Sequence, residues 1–149
     1  MHLRQPKPKT PTKILAFGTF DLLHPGHKWF LRRAAGLGDK LIVIVARDKN
    51  VLRLKAKLPA QNERVRLGAV RRLPFVTQAM LAQREFNHRY FIVQKIKPNI
   101  IALGYDQRTR SASFAHDLRK LGLRPKLVRL RAFHPERYKS SLLRRKSIN

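Results

Sequence analysis

Two histidines stand three residues apart in the segment His24-Pro25-Gly26-His27. The apolar run 13–17 before it is typical of a β-strand, and the run 28–35 after it is typical of a helix, so the segment joins a strand to a helix. Pro25 suits a first helical turn, where an N–H would be unpaired anyway, and Gly26 lets a phosphate approach the backbone amides. A spacing of three places both imidazoles on one helix face. Two ring donors beside a helix N-terminus indicate a polyphosphate site.

Two other interpretations of the histidine pair are open from the residues alone. The pair could be a chance surface arrangement, or it could supply two ligands to a metal ion. The chain has no cysteine and only eight Asp and Glu residues to complete a metal shell. Because the strand, the Gly18-Thr19 turn, the histidine step and the helix occur together, phosphate chemistry is favoured.

Further strands and helices alternate along the chain. Predicted strands cover residues 40–46, 75–81, 99–103 and 126–130, and predicted helices cover 63–73, 90–96 and 113–121. The pattern predicts an α/β fold, a Rossmann-like open sheet of about five parallel strands with helices on both faces, in a single domain. The helix 63–73 is expected to be capped by Asn62 and to bury Val65, Leu67 and Val70.

The loops that follow the strands are expected to meet at one edge, because parallel strands place their carboxyl ends together. The basic segment 47–61, which contains Pro59, is predicted to be such a loop. It would bring Lys57, or Lys55 if the register shifts, to a crevice at the carboxyl edge of the sheet. The groups expected around this crevice are His24, His27, Lys57, Asp106 and the segment 137–141.

The composition is strongly basic, with 34 Lys and Arg against eight acids and a net charge of +26. Such a balance is typical of proteins that associate with nucleic acids or other polyanions. No apolar run is long enough for a membrane span and residues 1–12 lack a signal-peptide core, so a cytoplasmic protein is expected. Residues 1–12 are predicted to be a flexible basic tail, rich in Pro and Lys, and residues 13–149 the folded domain.

Several motifs occur in one order along the chain. They are Gly18-Thr19-Phe20-Asp21, His24-Pro25-Gly26-His27, Glu63-Arg64, Gly104-Tyr105-Asp106-Gln107 and Arg137 with Ser140-Ser141. This arrangement resembles the HxGH nucleotidyltransferases of the cytidylyltransferase-like superfamily. The stretches 46–51 and 100–107 are most similar to archaeal-type FAD synthases.

The resemblance implies transfer of a nucleoside monophosphate from an NTP to a phosphate monoester, with release of pyrophosphate. It implies ATP and FMN as substrates, with Mg²⁺ carried by the triphosphate and not by a protein cage. The nucleotide-binding residues would be Gly18, Thr19, Phe20, His24, Pro25, Gly26, His27, Asp106, Ser140 and Ser141. The catalytic groups would be His24, His27, Lys57 and Arg137.

Individual roles follow from this assignment. His24 and His27 would bind the triphosphate, Lys57 would neutralise phosphate oxygens, and Arg137 with the two serines would hold the departing pyrophosphate. Asp106 would contact the ribose or the base, although an Asp after a strand is also an ordinary turn residue. Asp21 is expected to brace the segment 18–27, called the phosphate loop below, by accepting backbone N–H bonds.

Two alternatives remain at this point. The first is a CTP-dependent cytidylyltransferase acting on glycerol 3-phosphate or a similar phospho-alcohol. The second is a nucleic-acid-binding protein that keeps the fold without turnover, although no aromatic residues are interleaved with the basic ones as in stacking platforms. Relatives of this kind are often homodimers, so a homodimer is a further expectation, one that the charge of +26 per chain opposes.

Overall fold

The computed structural model describes residues 9–85, 90–105, 107 and 111–131, of which the side chains of 111 and 112 are not discussed. The strands are β1 Lys13–Gly18, β2 Lys40–Val45, β3 Gln78–Leu81, β4 Ile100–Leu103 and β5 Lys126–Arg129. The helices are α1 Pro25–Ala35, α2 Asp48–Lys55, α3 Glu63–Arg71, α4 Phe91–Ile96 and α5 Ser111–Lys120. None of the described helices is long and apolar enough to cross a membrane.

The five strands form one sheet in the order β3-β2-β1-β4-β5, and every neighbouring pair is parallel. The predicted open parallel sheet is therefore confirmed. Because the chain leaves β1 for β2 on one side and reaches β4 on the other, the strand order reverses at β1. In such sheets ligands bind outside the carboxyl ends of the strands at this reversal.

Apolar side chains of the sheet alternate between two core layers, as the period of a β-strand requires. On one face, Ile14 and Ala16 of β1 pack in a cluster with Leu31 of α1 and Val70 of α3. On the other face, Leu15 packs in a cluster with Ile92 and Val93 of α4 and Leu118 of α5. Helices thus cover both faces, as predicted, and α1 is held against the sheet with its N-terminus at the carboxyl edge.

The segment after β2 differs from the prediction. Residues 47–61 are expected to form a loop, but Asp48–Lys55 is helical, with Val51 buried beneath it. This helix was not predicted because the segment is polar and basic. Its N-terminus is stabilised mainly by side chains distant in sequence, which are described below. The third strand is also shorter than predicted and begins at Gln78.

Helix α3 buries Leu67 and Val70 as predicted, but its burial differs from the prediction at two positions. Val65 is 48% exposed, whereas Arg66 has no exposed surface. The prediction placed apolar residues inward by type alone, and it was wrong at these two positions because Arg66 finds polar partners in the interior. The Asn62 cap is confirmed, since its Oδ1 accepts the Val65 N–H at 2.9 Å.

Residues 1–8 lie outside the described part of the chain. Next to them, Thr12 donates its N–H to Asp39 Oδ2 at 2.7 Å, and its carbonyl accepts N–H bonds from Asp39 and Lys40. The boundary between tail and domain stays a prediction.

Candidate active site

The turn after β1 requires the glycine at position 18. A Cβ on Gly18 would lie 2.6 Å from Cζ of Phe20, well inside contact distance. Phe20 is buried and its ring meets the His27 ring edge-on, with centroids 5.5 Å apart. The missing side chain at Gly18 therefore allows Phe20 to support His27 from the side of the sheet.

Replacing Gly18 with alanine should lower the free energy of unfolding by about 1–3 kcal/mol, because the buried Phe20 ring must move. Gly68 offers a matched control in helix α3, since an added Cβ there meets nothing within 4 Å. Gly68→Ala should raise stability by up to about 1 kcal/mol through helix propensity. Urea unfolding of both variants checks this, and equal effects in the same direction would refute the steric role of Gly18.

His24 caps helix α1. Its Nδ1 accepts the N–H of Gly26 at 3.1 Å and that of His27 at 3.4 Å, while His27 Nδ1 accepts the His24 N–H at 3.4 Å. These bonds form a reciprocal capping box in which histidines replace the usual Ser and Glu. The sequence predicts amides open to phosphate, but in this structure the amides of Gly26 and His27 already donate to His24.

The two imidazole rings are stacked, with centroids 3.6 Å apart and planes 23° from parallel. Since Nδ1 of each ring accepts an N–H, each neutral ring carries its proton on Nε2. Burial, which is the largest cause, together with the neighbouring His24 and the Lys55 ammonium lowers the pKa of His27 to about 3. At neutral pH His27 is therefore a neutral N–H donor and a poor base.

This pKa predicts a loss of stability on acidification. The unfolded chain takes up a proton on His27 near pH 6.5, whereas the folded protein does not until about pH 3. The contribution of neutral His27 to the free energy of unfolding is therefore complete above the unfolded pKa. It falls as the pH is lowered, by about 1–2 kcal/mol between pH 7 and pH 5.

Urea unfolding of the wild type, His27→Gln and His116→Gln over this range measures the effect. His27→Gln should lose less stability than the wild type, and His116→Gln, altered at an exposed histidine of α5, should follow the wild type. Parallel curves for all three proteins would contradict the assignment.

Asp21 connects the phosphate loop to the segment before α3. Its carboxylate accepts the N–H of Ala60 at 2.7 Å and that of Gln61 at 2.9 Å, and Gln61 Oε1 accepts the Leu22 N–H. The predicted brace is confirmed, and its donors Ala60 and Gln61 lie in the segment between α2 and α3. Phe20 and Leu22, on either side of Asp21, both have positive φ angles, 53° and 51°. This conformation is strained for such residues and is held by the brace.

Arg66 links three segments from the interior. Its Nη1 donates to the Thr19 carbonyl at 2.6 Å, its Nε to the Gln61 carbonyl at 3.0 Å, and its Nη2 to Asp48 Oδ1 at 2.7 Å. The planar guanidinium can satisfy several acceptors at fixed angles, which a lysine cannot do. Arg66 therefore ties the phosphate loop to the start of α2.

The start of α2 is stabilised by a reciprocal pair. Glu63 Oε1 accepts the Asp48 N–H and Asp48 Oδ2 accepts the Glu63 N–H, both at 3.2 Å. Arg47 pairs with Glu63 at 3.1 Å and donates from Nε to the Ala82 carbonyl after β3. These contacts fix α2 beside the phosphate loop and bring Lys55, at its C-terminus, close enough to lower the pKa of His27.

Comparison with known proteins supplies the decisive observation. The model of the cytidylyltransferase-like family matches residues 15–146. The chain belongs to the cytidylyltransferase-like family. Among its relatives are a protein named FAD synthase from Aciduliprofundum boonei, 44% identical over 81% of this chain and 79% of the relative, and one of the same name from Methanosarcina barkeri, 48% identical over 80% and 83%.

A solved structure is similar to this chain in both sequence and fold. A crystal structure described as a lipopolysaccharide core biosynthesis protein from Thermoplasma volcanium is 36% identical, covers 83% of this chain and 99% of its own, and superposes with a TM-score of 0.78. The relatives named FAD synthase confirm the resemblance to archaeal-type FAD synthases predicted from the motifs, and this chain is a nucleotidyltransferase of the cytidylyltransferase-like family.

In this cytidylyltransferase-like chain, the loop after β4 is fastened to the end of β1. Gln107 Nε2 donates to the Phe17 carbonyl at 2.6 Å, and its Oε1 accepts the Gly104 N–H at 2.9 Å. Arg129 of β5 donates to the carbonyls of Gly104 and Gln107. Gln107 thus joins the two strand ends at the point where the strand order reverses.

The structure brings together one part of the predicted site. Gly18, Thr19, Phe20, His24, Pro25, Gly26 and His27 form the turn and the first helical residues at the carboxyl edge. Lys57 is exposed in the segment after α2. The predictions for Asp106, Arg137, Ser140 and Ser141 fall outside the described residues. Within the described part of the chain, no three His, Asp or Glu side chains are grouped as a metal site would require.

Three residues that hold the candidate active site in place were not predicted to do so. Arg66, Asp48 and Gln107 contact backbone or side chains of the phosphate loop and its neighbours. A signal for Asp48 was present, since an acid in so basic a chain stands out. Arg66 also falls one residue before Leu67 and four before Val70, both buried, which places it within the inward stripe of α3.

Proposed function

We propose that this protein transfers the adenylyl group of ATP to FMN, forming FAD and pyrophosphate. The observation that supports this pair of substrates is the similarity, over about four fifths of the chain, to proteins named FAD synthase. The site geometry supports the type of chemistry, because the groups around the α1 N-terminus are donors and cations.

The reaction needs no general base at this site. The phosphate monoester of FMN has its second pKa near 6, so its attacking oxygen is largely ionised at neutral pH. That oxygen forms a bond to the α-phosphorus of ATP, and the bond from this phosphorus to the oxygen bridging to the β-phosphorus breaks. The electron pair leaves with pyrophosphate, and Mg²⁺ carried in by ATP would help to neutralise the charge on these phosphates.

Catalysis would then consist of positioning and charge stabilisation. In this proposal the neutral His27 donates from Nε2 to the α-phosphoryl oxygens, and His24 orients it through the stack and the capping box. Lys55 or Lys57 neutralises phosphate oxygens, and the proximity of Lys55 to His27 favours Lys55. Arg137, Ser140 and Ser141 would hold the β- and γ-phosphates, and Asp106 the ribose or base.

A substrate panel tests the proposal. The protein is incubated with Mg²⁺ and either ATP or CTP, together with FMN, glycerol 3-phosphate, phosphoethanolamine or phosphopantetheine, and pyrophosphate release is followed. ATP with FMN should be the productive pair. Release with CTP and glycerol 3-phosphate would replace this function by cytidylyl transfer, and no release with any pair would favour a protein without turnover.

A further inference from the structure

The last residue of β5, Arg129, holds the turn that follows β4. The two strands are paired as far as Leu103, whose carbonyl accepts the Leu130 N–H at 2.9 Å. The Gly104 carbonyl lies beyond this ladder, and Arg129 supplies a donor for it, since Nη1 donates to it at 2.7 Å. The same nitrogen donates to the Gln107 carbonyl at 3.2 Å. One guanidinium therefore joins both ends of the turn.

Gln107 fastens the same turn, residues 104–107, to the end of β1. Its backbone N–H donates to the Gly104 carbonyl at 3.3 Å, and its side-chain Oε1 accepts the Gly104 N–H at 2.9 Å. Its Nε2 donates at 2.6 Å to the carbonyl of Phe17, the residue immediately before the phosphate loop. The position of the turn relative to the phosphate loop therefore depends on Gln107, and Arg129 holds Gln107 from the far side of β4.

The exposure of Arg129 separates this contact from the packing of the core. Arg129 is exposed on an outer strand of the described sheet, and replacing an exposed side chain usually has little effect on the folding equilibrium. A binding loop whose conformation is no longer fixed loses affinity, because part of the binding energy must then order it. The loss of Arg129 is therefore expected to affect ligand binding more than folding.

The turn lies where a sheet of this kind binds its ligands. The strand order reverses between β1 and β4, and the turn follows β4 at the carboxyl edge, beside the phosphate loop. Asp106, the residue proposed to contact the ribose or base, stands between Gly104 and Gln107 in the sequence. A nucleotide whose triphosphate occupies the phosphate loop would thus meet this turn with its nucleoside.

We propose that Arg129 is a positioning residue for the nucleotide, which fixes the turn 104–107 so that ATP binds to a preformed site. In this role Arg129 acts through the turn and takes no part in the transfer step. The inference rests on the proposed function and names a residue that determines the affinity for its donor substrate.

Replacing Arg129 with methionine tests this role, because methionine cannot donate to the two carbonyls. The Kd for ATP with Mg²⁺, measured by isothermal titration calorimetry in the absence of FMN, should rise roughly tenfold. The KM for ATP should rise with it, whereas kcat and the KM for FMN should stay within about twofold, because the reacting groups are unchanged. Arg129→Lys, which retains the charge without the planar fork, should bind ATP with intermediate affinity.

Arg124→Met is the matched control for the loss of a positive charge. Arg124 is exposed and stands just before β5, and among the described contacts it makes no hydrogen bond to Gly104 or Gln107. In 0.15 M salt, where exposed charges more than about 8 Å apart are largely screened, its Kd for ATP should stay within about twofold of the wild-type value. Urea unfolding should give similar midpoints for Arg129→Met and Arg124→Met.

Gln107→Leu provides a second variant on the same turn. It removes the side-chain bonds to Gly104 and Phe17 and should weaken ATP binding as Arg129→Met does. Since both changes release one turn, the double variant should raise the Kd by less than the product of the two single effects. Fully multiplicative effects would mean that Arg129 does not act through the turn.

The outcomes separate this inference from the proposed function. Equal Kd values for ATP in Arg129→Met and the wild type, with FAD still formed, would overturn the positioning role and leave the function intact. A higher KM for FMN with unchanged ATP binding would contradict the assignment to the nucleotide. ATP binding that Arg129→Met weakens and Arg124→Met does not, in a protein that forms no FAD, would support the positioning role and overturn the function. Absence of ATP binding to the wild type would overturn both.

Discussion

Replacing His27 with alanine should lower kcat for FAD formation by about 10²- to 10³-fold, the usual effect of removing one donor from a developing oxyanion. The reason is that His27 is neutral at the pH of the reaction and offers its Nε2–H, which alanine cannot replace. His27→Gln keeps an N–H donor and should retain more activity than His27→Ala. Steady-state rates with ATP and FMN measure both.

Two controls make this result specific. His116→Ala removes an exposed imidazole of α5 and should leave the rate unchanged. Circular dichroism of His27→Ala should show a folded protein. The hydrogen bond from the His24 N–H to His27 Nδ1 is long, at 3.4 Å, so its removal should lower stability only slightly. A rate within threefold of the wild type in folded His27→Ala would mean that this helix N-terminus is not the reaction site.

Replacing Arg66 with methionine should lower the free energy of unfolding by about 3–5 kcal/mol. Methionine retains much of the volume but leaves Asp48 and the carbonyls of Thr19 and Gln61 without the donors that Arg66 provides. Because natural domains are stable by only about 5–15 kcal/mol, the variant should be close to unfolding at ordinary temperature. Urea unfolding followed by circular dichroism measures the change.

Arg64→Met serves as the matched control on the same helix, since Arg64 is exposed and has no such contacts in the described part of the chain. It should change stability by less than about 0.5 kcal/mol. Arg66→Lys retains the charge without the planar fork and should fall between the two. If Arg66→Met were as stable as Arg64→Met, Arg66 would not link the phosphate loop to α2.

The fold was largely predictable because its signals are local and periodic. The residue types alone indicate the strand within the apolar run 40–46 and the helix that begins at Pro25. Helix α2 was missed because its N-terminus depends on contacts with Glu63 and Arg66, distant in sequence. Similarly, the exposure of Val65 follows from the burial of Arg66, and no periodicity reports that an arginine will find three partners inside.

The candidate site was predictable to the extent that one segment contains it. Residues 18–27 carry the turn, the cap and both imidazoles, but the sequence did not indicate that His24 would occupy the amides of Gly26 and His27. The low pKa of His27 also required the structure, because it arises from burial and from a stacked neighbour. Residues contributed by other loops, such as Gln107, depend on how the strand ends meet.

The few acids of this basic chain are mostly structural. Of the eight, six lie in the described part of the chain, and five of these accept hydrogen bonds from other residues of the chain, namely Asp21, Asp39, Asp48, Glu63 and Asp117. Asp21 and Asp48 brace the phosphate loop directly or through Arg66. The chain is therefore strongly basic, with a net charge of +26, and still contains the acidic residues that hold the site in place.

The most direct test of adenylyl transfer follows the α-phosphorus of ATP. The protein is incubated with FMN and Mg²⁺ and with ATP labelled either at the α- or at the γ-phosphate, and the products are separated by chromatography. The α-label should appear in FAD and the γ-label in pyrophosphate, in equal amounts. Transfer of the γ-label to the flavin, or no labelled flavin with either ATP, would contradict it.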